Sequence, residues 1–149
     1  MHTQLRRSVS ADPDLLFELA ARVEDWPRIL PHYRWVRVFG MLDSERRLVE
    51  MAARRDVAGP LSVPLWWRSV QLIDRPRRRI GFEHVAGITR GMTVEWAIDP
   101  RPNGSDVVIR HAFEPRWPAP DWLVHAVVGE YFVNDVAGRT LDYLARKAR

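Results

Sequence analysis

The sequence predicts an α+β fold: a curved antiparallel sheet of about seven strands wrapped around a long C-terminal helix, with two short helices after the first strand. Three observations predict it. Strand-like segments follow one another across residues 34–113, and their connections are too short for parallel crossovers. A helical pattern of apolar residues runs through residues 121–147. Between an opening strand and the sheet lie two segments with helix start and stop signals.

In chain order, residues 4–10 set Leu5 and Val9 among Arg6, Arg7 and Ser8 and read as a first strand. Ala11-Asp12-Pro13-Asp14 opens a helix, because Asp12 can accept from the free amides and Pro13 suits the first helical position. Leu15, Leu16, Leu19, Ala20 and Val23 then recur at helical spacing. Trp26, Ile29 and Leu30 predict a second, short helix that Pro31 stops. Strands follow over residues 35–39, 48–55, 61–73, 79–85, 92–98 and 107–113. The clearest is 92–98, where Met92, Val94, Trp96 and Ile98 share one face against Thr93, Glu95, Ala97 and Asp99. Val63, Leu65, Trp67 and Ile73 share a parity in the same way. Arg75-Pro76-Arg77-Arg78-Arg79 and Pro100-Arg101-Pro102-Asn103-Gly104 are turns, and Gly87-Ile88-Thr89-Arg90-Gly91 is a hairpin loop suited to a pocket mouth. The final helix carries Leu123, Val127, Val128, Tyr131, Phe132, Val136, Leu141 and Leu144. At 1.5 Å per residue, a helix of about 26 residues is roughly 39 Å long, enough to cross the sheet. Gaps between such a sheet and its helix are where small-molecule sites form.

The 149 residues suit a single domain over 1–149, and 46% hydrophobic with 28% charged residues is an ordinary globular balance. No apolar run approaches the roughly 20 residues of a membrane span. The start, Met1 to Arg7, lacks an apolar signal core, so a cytoplasmic location is expected. The absence of cysteine excludes disulfides, thiol nucleophiles and thiolate metal sites. The net charge of +4 comes almost wholly from arginine, Lys147 being the only lysine. The arginines are scattered apart from the 75–79 turn, so no nucleic-acid partner is expected. No phosphate loop, catalytic serine motif or dinucleotide fingerprint occurs, and no cofactor is expected.

The polar candidates come from strand parity. Ile80, Phe82 and His84 share one face, as do Ile109, His111 and Phe113, so both histidines fall on apolar faces. With Tyr33, Gln71 and Asn134 they form a polar patch, either a hydrogen-bonded network or a ligand cradle. Imidazoles with near-neutral pKa values can serve as general bases. Glu83 or Glu50 could complete a metal set with them, but no HxxxH or HExxH spacing occurs and no metal is expected. Residues 48–55 are ambiguous: one parity gives Val49, Met51, Ala53 and Arg55, the other Leu48, Glu50, Ala52 and Arg54. Either leaves an arginine near the strand end, exposed to solvent, paired with Glu50 or binding a ligand carboxylate. Adjacent Trp66 and Trp67 take opposite faces, and an outer Trp66 with Pro64 suits a homodimer contact or a pocket rim. Trp117 and Trp122 flank the start of the long helix, as anchors or as a lid.

Two segments carry a family resemblance. Ala11-Asp12-Pro13-Asp14-Leu15-Leu16-Phe17 resembles the first-helix entry of the START-like (SRPBCC) helix-grip superfamily. Val23-Glu24-Asp25-Trp26-Pro27-Arg28-Ile29-Leu30-Pro31-His32-Tyr33 resembles the tryptophan-proline segment of its polyketide cyclase/dehydrase (aromatase/cyclase) members. The resemblance spans nearly the whole chain. It implies the helix-grip fold and a pocket in which a polyketide closes a ring by intramolecular aldol reaction and dehydration. It also implies roles: Tyr33 as the tyrosine of an arginine-tyrosine catalytic pair, and Trp26, Trp67, Met92, Trp96 and Asn134 as pocket residues. The family's arginine position holds Gln71, and glutamine carries no cation to stabilise an enolate. The site expected is therefore Tyr33, His84 and His111 as catalytic groups, with Trp26, Trp67, Gln71, Phe82, Met92, Trp96 and Asn134 binding ligand. The partner expected is a hydrophobic small molecule, aromatic or polyketide-derived, for an enzyme. A lipid or quinone is the cargo expected for a non-catalytic carrier of the same fold.

Overall fold

The structure, a computed structural model, describes residues 1–58, 61–114, 118, 120–122 and 137–148, with the backbone alone for 55–58 and 61–63. In chain order come β1 (His2–Val9), α1 (Pro13–Ala21), a 3-10 turn (Val23–Asp25), α2 (Trp26–Ile29), β2 (Tyr33–Met41) and β3 (Arg46–Ala58). Then follow β4 (Leu61–Asp74), β5 (Arg79–Gly87), β6 (Met92–Arg101), β7 (Gly104–Phe113) and α3 (Arg139–Lys147). Of the helix predicted over 121–147, residues 123–136 lie outside the described residues. No helix among the described residues is long and apolar enough to cross a membrane.

The seven strands form one antiparallel sheet in the order β1-β7-β6-β5-β4-β3-β2. β1 and β2 are therefore opposite edges, although only α1, the 3-10 turn and α2 separate them in sequence. Those short helices must cross the sheet, and α1 packs on β5 and β6 while α2 packs on β2. The local chemistry fits the path. Asp12 Oδ2 accepts from the Leu15 amide at 2.9 Å, and Pro13 stands in the first turn of α1. The Trp26 indole donates to the Leu19 carbonyl at 3.1 Å and ties α2 back to α1.

One core fills the space between the sheet's inner face and the helices. Leu16, Phe17, Ala20, Val23, Trp26 and Leu30 enter it from the helical segment, and Leu141 and Leu144 from α3. The sheet supplies Val49, Met51, Trp67, Ile80, Met92, Trp96, Ile98, Ile109 and Phe113. Each such side chain contributes about 1.5–3 kcal/mol by leaving water. The parity ambiguity in β3 is resolved: Val49, Met51 and Ala53 face the core, and Arg54 is exposed. Trp66 is half exposed on the outer face while Trp67 is buried.

The outer face buries a carboxylate. Glu50 is only 4% exposed, although its parity points it away from the core. Arg68 Nε pairs with it at 2.5 Å, and Arg37 approaches at 4.0 Å. Both guanidiniums lie over aromatic rings, Arg37 on Trp35 and Arg68 between Phe39 and Trp66. Arg68 thus points outward, on the face opposite to Trp67.

Candidate functional site

Between the inner face of the sheet and the C-terminal segment lies a cavity of about 40 Å³. Its apolar walls are Trp26 from α2, Tyr33 from the start of β2, Met51, Trp67, Phe82, Val94 and Trp96 from β3 to β6, and Ala137. Its polar walls are His84 on β5, His111 on β7 and Thr140 on α3. The rings form a connected box. Trp26 meets Tyr33 edge to face at 5.2 Å and Trp96 at 6.3 Å, and Tyr33 meets Trp67 at 6.4 Å.

His84 is held from two sides. The Trp67 indole lies parallel to its imidazole, 7° between planes and 5.8 Å between centroids. Its Nδ1 hydrogen-bonds the Thr89 hydroxyl at 2.6 Å. Thr89 belongs to the loop between β5 and β6 yet is fully buried, because that loop folds back onto the sheet. Gly87 permits the fold-back: it has a φ of +99°, and a Cβ there would sit 2.4 Å from the Trp66 carbonyl oxygen. A bulge at Arg68/Ser69 puts Ser69 opposite His84 and Trp67 opposite Gly87.

The sequence suggested two imidazoles with pKa values near neutral. Burial changes that. Desolvation, reinforced by the neighbouring His111, pulls His84 down to about 3. Desolvation alone pulls His111 down to about 4. Both are neutral at pH 7, so each offers one N–H donor and one lone-pair acceptor. Among the described residues, His111 Nδ1 and the Ser69 hydroxyl are buried without a hydrogen-bond partner.

Of the expected site residues, Trp26, Tyr33, Trp67, Phe82, His84, Trp96 and His111 line one cavity. Gln71 and Met92 are fully buried away from it. Gln71 is engaged within the protein: its Nε2 donates to the Ala21 carbonyl at 3.0 Å and its Oε1 accepts from Arg47 Nε at 2.7 Å. Arg47 also binds the Ala21 carbonyl and the Glu24 carboxylate, which the guanidinium holds below its usual pKa range against the opposing effect of burial. Met92 pairs with Phe113 across β6 and β7 and packs in the core. Asn134 lies outside the described residues, as does Trp117. Met51, Thr89 and Thr140 were not singled out from the sequence as site residues. The signals for them were the β3 parity that carries Met51 inward and the reading of the 87–91 loop, which holds Thr89, as a pocket mouth.

Residues 9–134 match the family model described as polyketide cyclase/dehydrase and lipid transport. The chain belongs to this family. A bifunctional cyclase/dehydratase of the granaticin polyketide synthase from Streptomyces violaceoruber is 30% identical over 109 residues, which are 71% of this chain. The match covers 32% of that relative, so the chain spans about a third of its length. Two solved structures share the fold. One is the Zhui aromatase/cyclase from Streptomyces sp. R1128, with a TM-score of 0.79 and 24% identity over 100% of this chain and 96% of that one. The other is a START superfamily protein from Mycobacterium smegmatis, with a TM-score of 0.70 and 12% identity over 99% and 96%. The helix-grip architecture read from the sequence is thus the architecture of this polyketide cyclase/dehydrase family member.

Proposed function

We propose that the protein binds a mostly apolar, aromatic or polyketide-derived molecule in the cavity between sheet and C-terminal segment, and acts on it as a polyketide cyclase. The observation that carries the reading is a pair of buried, neutral histidines inside a box of four aromatic walls, Trp26, Tyr33, Trp67 and Trp96. Such a pair suits a ligand that is apolar along most of its surface and carries a few carbonyl oxygens. An aldol ring closure needs the reacting carbons held in a near-attack shape, which an aromatic box supplies. With pKa values of about 3 and 4 the imidazoles are weak bases at rest. Their part is to hydrogen-bond carbonyl or enol oxygens, while the Tyr33 phenol exchanges the proton. Ligand pockets run to about 300–1,000 Å³, far above this cavity, so the ligand must displace part of its wall on entry.

A specific observation favours a second reading, carriage without chemistry. No cationic side chain among the described residues lines the cavity, and the residue at the family's arginine position is committed to Ala21 and Arg47. Native mass spectrometry of protein from its own host identifies a co-purifying molecule. Thermal-shift and tryptophan-fluorescence titrations with linear poly-β-ketones, aromatic polyketides and quinones then follow. A cyclised product supports the first reading, and binding without turnover the second. No bound molecule and no shift with any of them overturns both.

A further inference from the structure

A second cleft, of about 340 Å³, opens on the far side of the wall formed by His32 and Thr140. Pro31, His32 and Arg54 line it from the β2 and β3 side, and Arg139 and Tyr143 from α3. Thr140, whose hydroxyl meets His32 Nε2 at 3.2 Å, faces the aromatic cavity, so the two spaces share that wall. Among the described residues the cleft's charge is one-sided. Elsewhere the arginines are largely neutralised in place: Arg75 by Glu18, Arg78 by Asp14, Arg79 by Asp99, Arg110 by Glu95. Arg54 and Arg139 form no ion pair among the described residues, and no carboxylate among them lines the cleft. Arg139, Tyr143 and Arg146 lie at helical spacing on one stripe of α3, with the Arg146 guanidinium 4.6 Å from the Tyr143 ring. The Arg54 backbone is fixed opposite them by the hydrogen bond its N–H donates to the His32 carbonyl at 2.8 Å.

We propose that this cleft binds a phosphate group, free or as a monoester, between the guanidiniums of Arg54 and Arg139 with the Tyr143 hydroxyl as a further donor. Two guanidiniums match a dianion in charge, and their planar forks match its oxygens in shape. The cleft's residues alone carry the proposal, whatever fills the aromatic cavity. Residue-resolved NMR titration with inorganic phosphate, phenyl phosphate and acetate at physiological ionic strength tests it. Saturable shifts centred on residues 31–32, 54 and 139–143 are expected, with acetate at least about fivefold weaker. Arg54→Ala and Arg139→Ala each weaken phosphate by up to about fivefold, the range of single exposed charge contacts, and the double variant loses saturation. Arg90→Ala, on an exposed turn elsewhere, leaves it unchanged. All these side chains are exposed, so the variants keep the wild-type melt. Phenyl phosphate that also perturbs Trp26 or Trp96 marks the phosphate as part of a cavity ligand, and phosphate binding without it marks a free ion. Wild-type affinity in the double variant, an equal loss in Arg90→Ala, or acetate as tight as phosphate overturns the proposal.

Discussion

Arg47 on β3 stands directly opposite Gln71 on β4, and the guanidinium Nε donates to the amide oxygen at 2.7 Å. The same guanidinium and the same amide both reach the Ala21 carbonyl, at 2.9 and 3.0 Å. Gln71 thus joins the sheet to the C-terminal end of α1. Gln71→Leu leaves the Ala21 carbonyl with one donor and an Arg47 Nε–H unsatisfied. A loss of about 1–3 kcal/mol in urea unfolding is expected, with ligand affinity in the aromatic cavity unchanged. Gln71→Arg sets a second guanidinium against Arg47 and destabilises as well.

The buried histidines make stability depend on pH. Their pKa values fall from 6.5 in the unfolded chain to about 3 and about 4 in the fold. The unfolded chain therefore binds more protons between those limits, and stability is lost as pH falls below 6.5. Two such groups remove on the order of 3 kcal/mol between pH 6.5 and pH 5. Melts across that window are expected to fall steeply in the wild type and to flatten in His111→Gln. An unchanged slope in the variant counts against burial as the cause.

Thr89 sets the environment of His84 Nδ1. Thr89→Val removes its hydrogen bond and is expected to shift the His84 ring nitrogens in NMR spectra and to lower stability by about 1–2 kcal/mol. Thr89→Ser restores both. Gly87→Ala forces a Cβ against the Trp66 carbonyl at positive φ and is expected to loosen the loop that carries Thr89.

Met51 is buried on the cavity wall with little beyond packing to contribute. Met51→Ala is expected to lower stability by about 2–5 kcal/mol while enlarging the cavity. If entry requires the wall to yield, the variant binds aromatic ligands more tightly than the wild type despite its lower melting temperature.

Much of this was legible from residues alone. Period-2 parity turned His84, His111, Phe82 and Trp96 inward, because an inner sheet face admits only one phase of each strand. The Asp12-Pro13 pair marked the start of α1 through purely local chemistry. What the sequence hid depended on register. The match of Arg47 to Gln71 requires knowing how β3 and β4 align, and nothing local to either strand states it. The parity of residues 48–55 left the face of Glu50 open, and it is the arginines and rings of two neighbouring strands that bury it. Thr89 read only as part of a hairpin loop at a pocket mouth, because its inward turn follows from the close approach of Gly87 to Trp66. The residue type alone puts the imidazole pKa values near neutral, because desolvation belongs to the assembled core.

The placement of β1 beside β7 has a consequence for how the chain is made. The Met1 amino group meets the Phe113 carbonyl across a sequence separation of 112 residues, and the whole of β1 has its partners in the last strand. The other five strand pairings join consecutive strands, so the β1–β7 pairing is the one that must close a long loop. On the ribosome, β1 emerges before β2 to β7 and waits unpaired until β7 is made. Its adjacent Arg6 and Arg7 and its other polar side chains keep that waiting edge charged, and so guard the nascent chain against sticking to its neighbours.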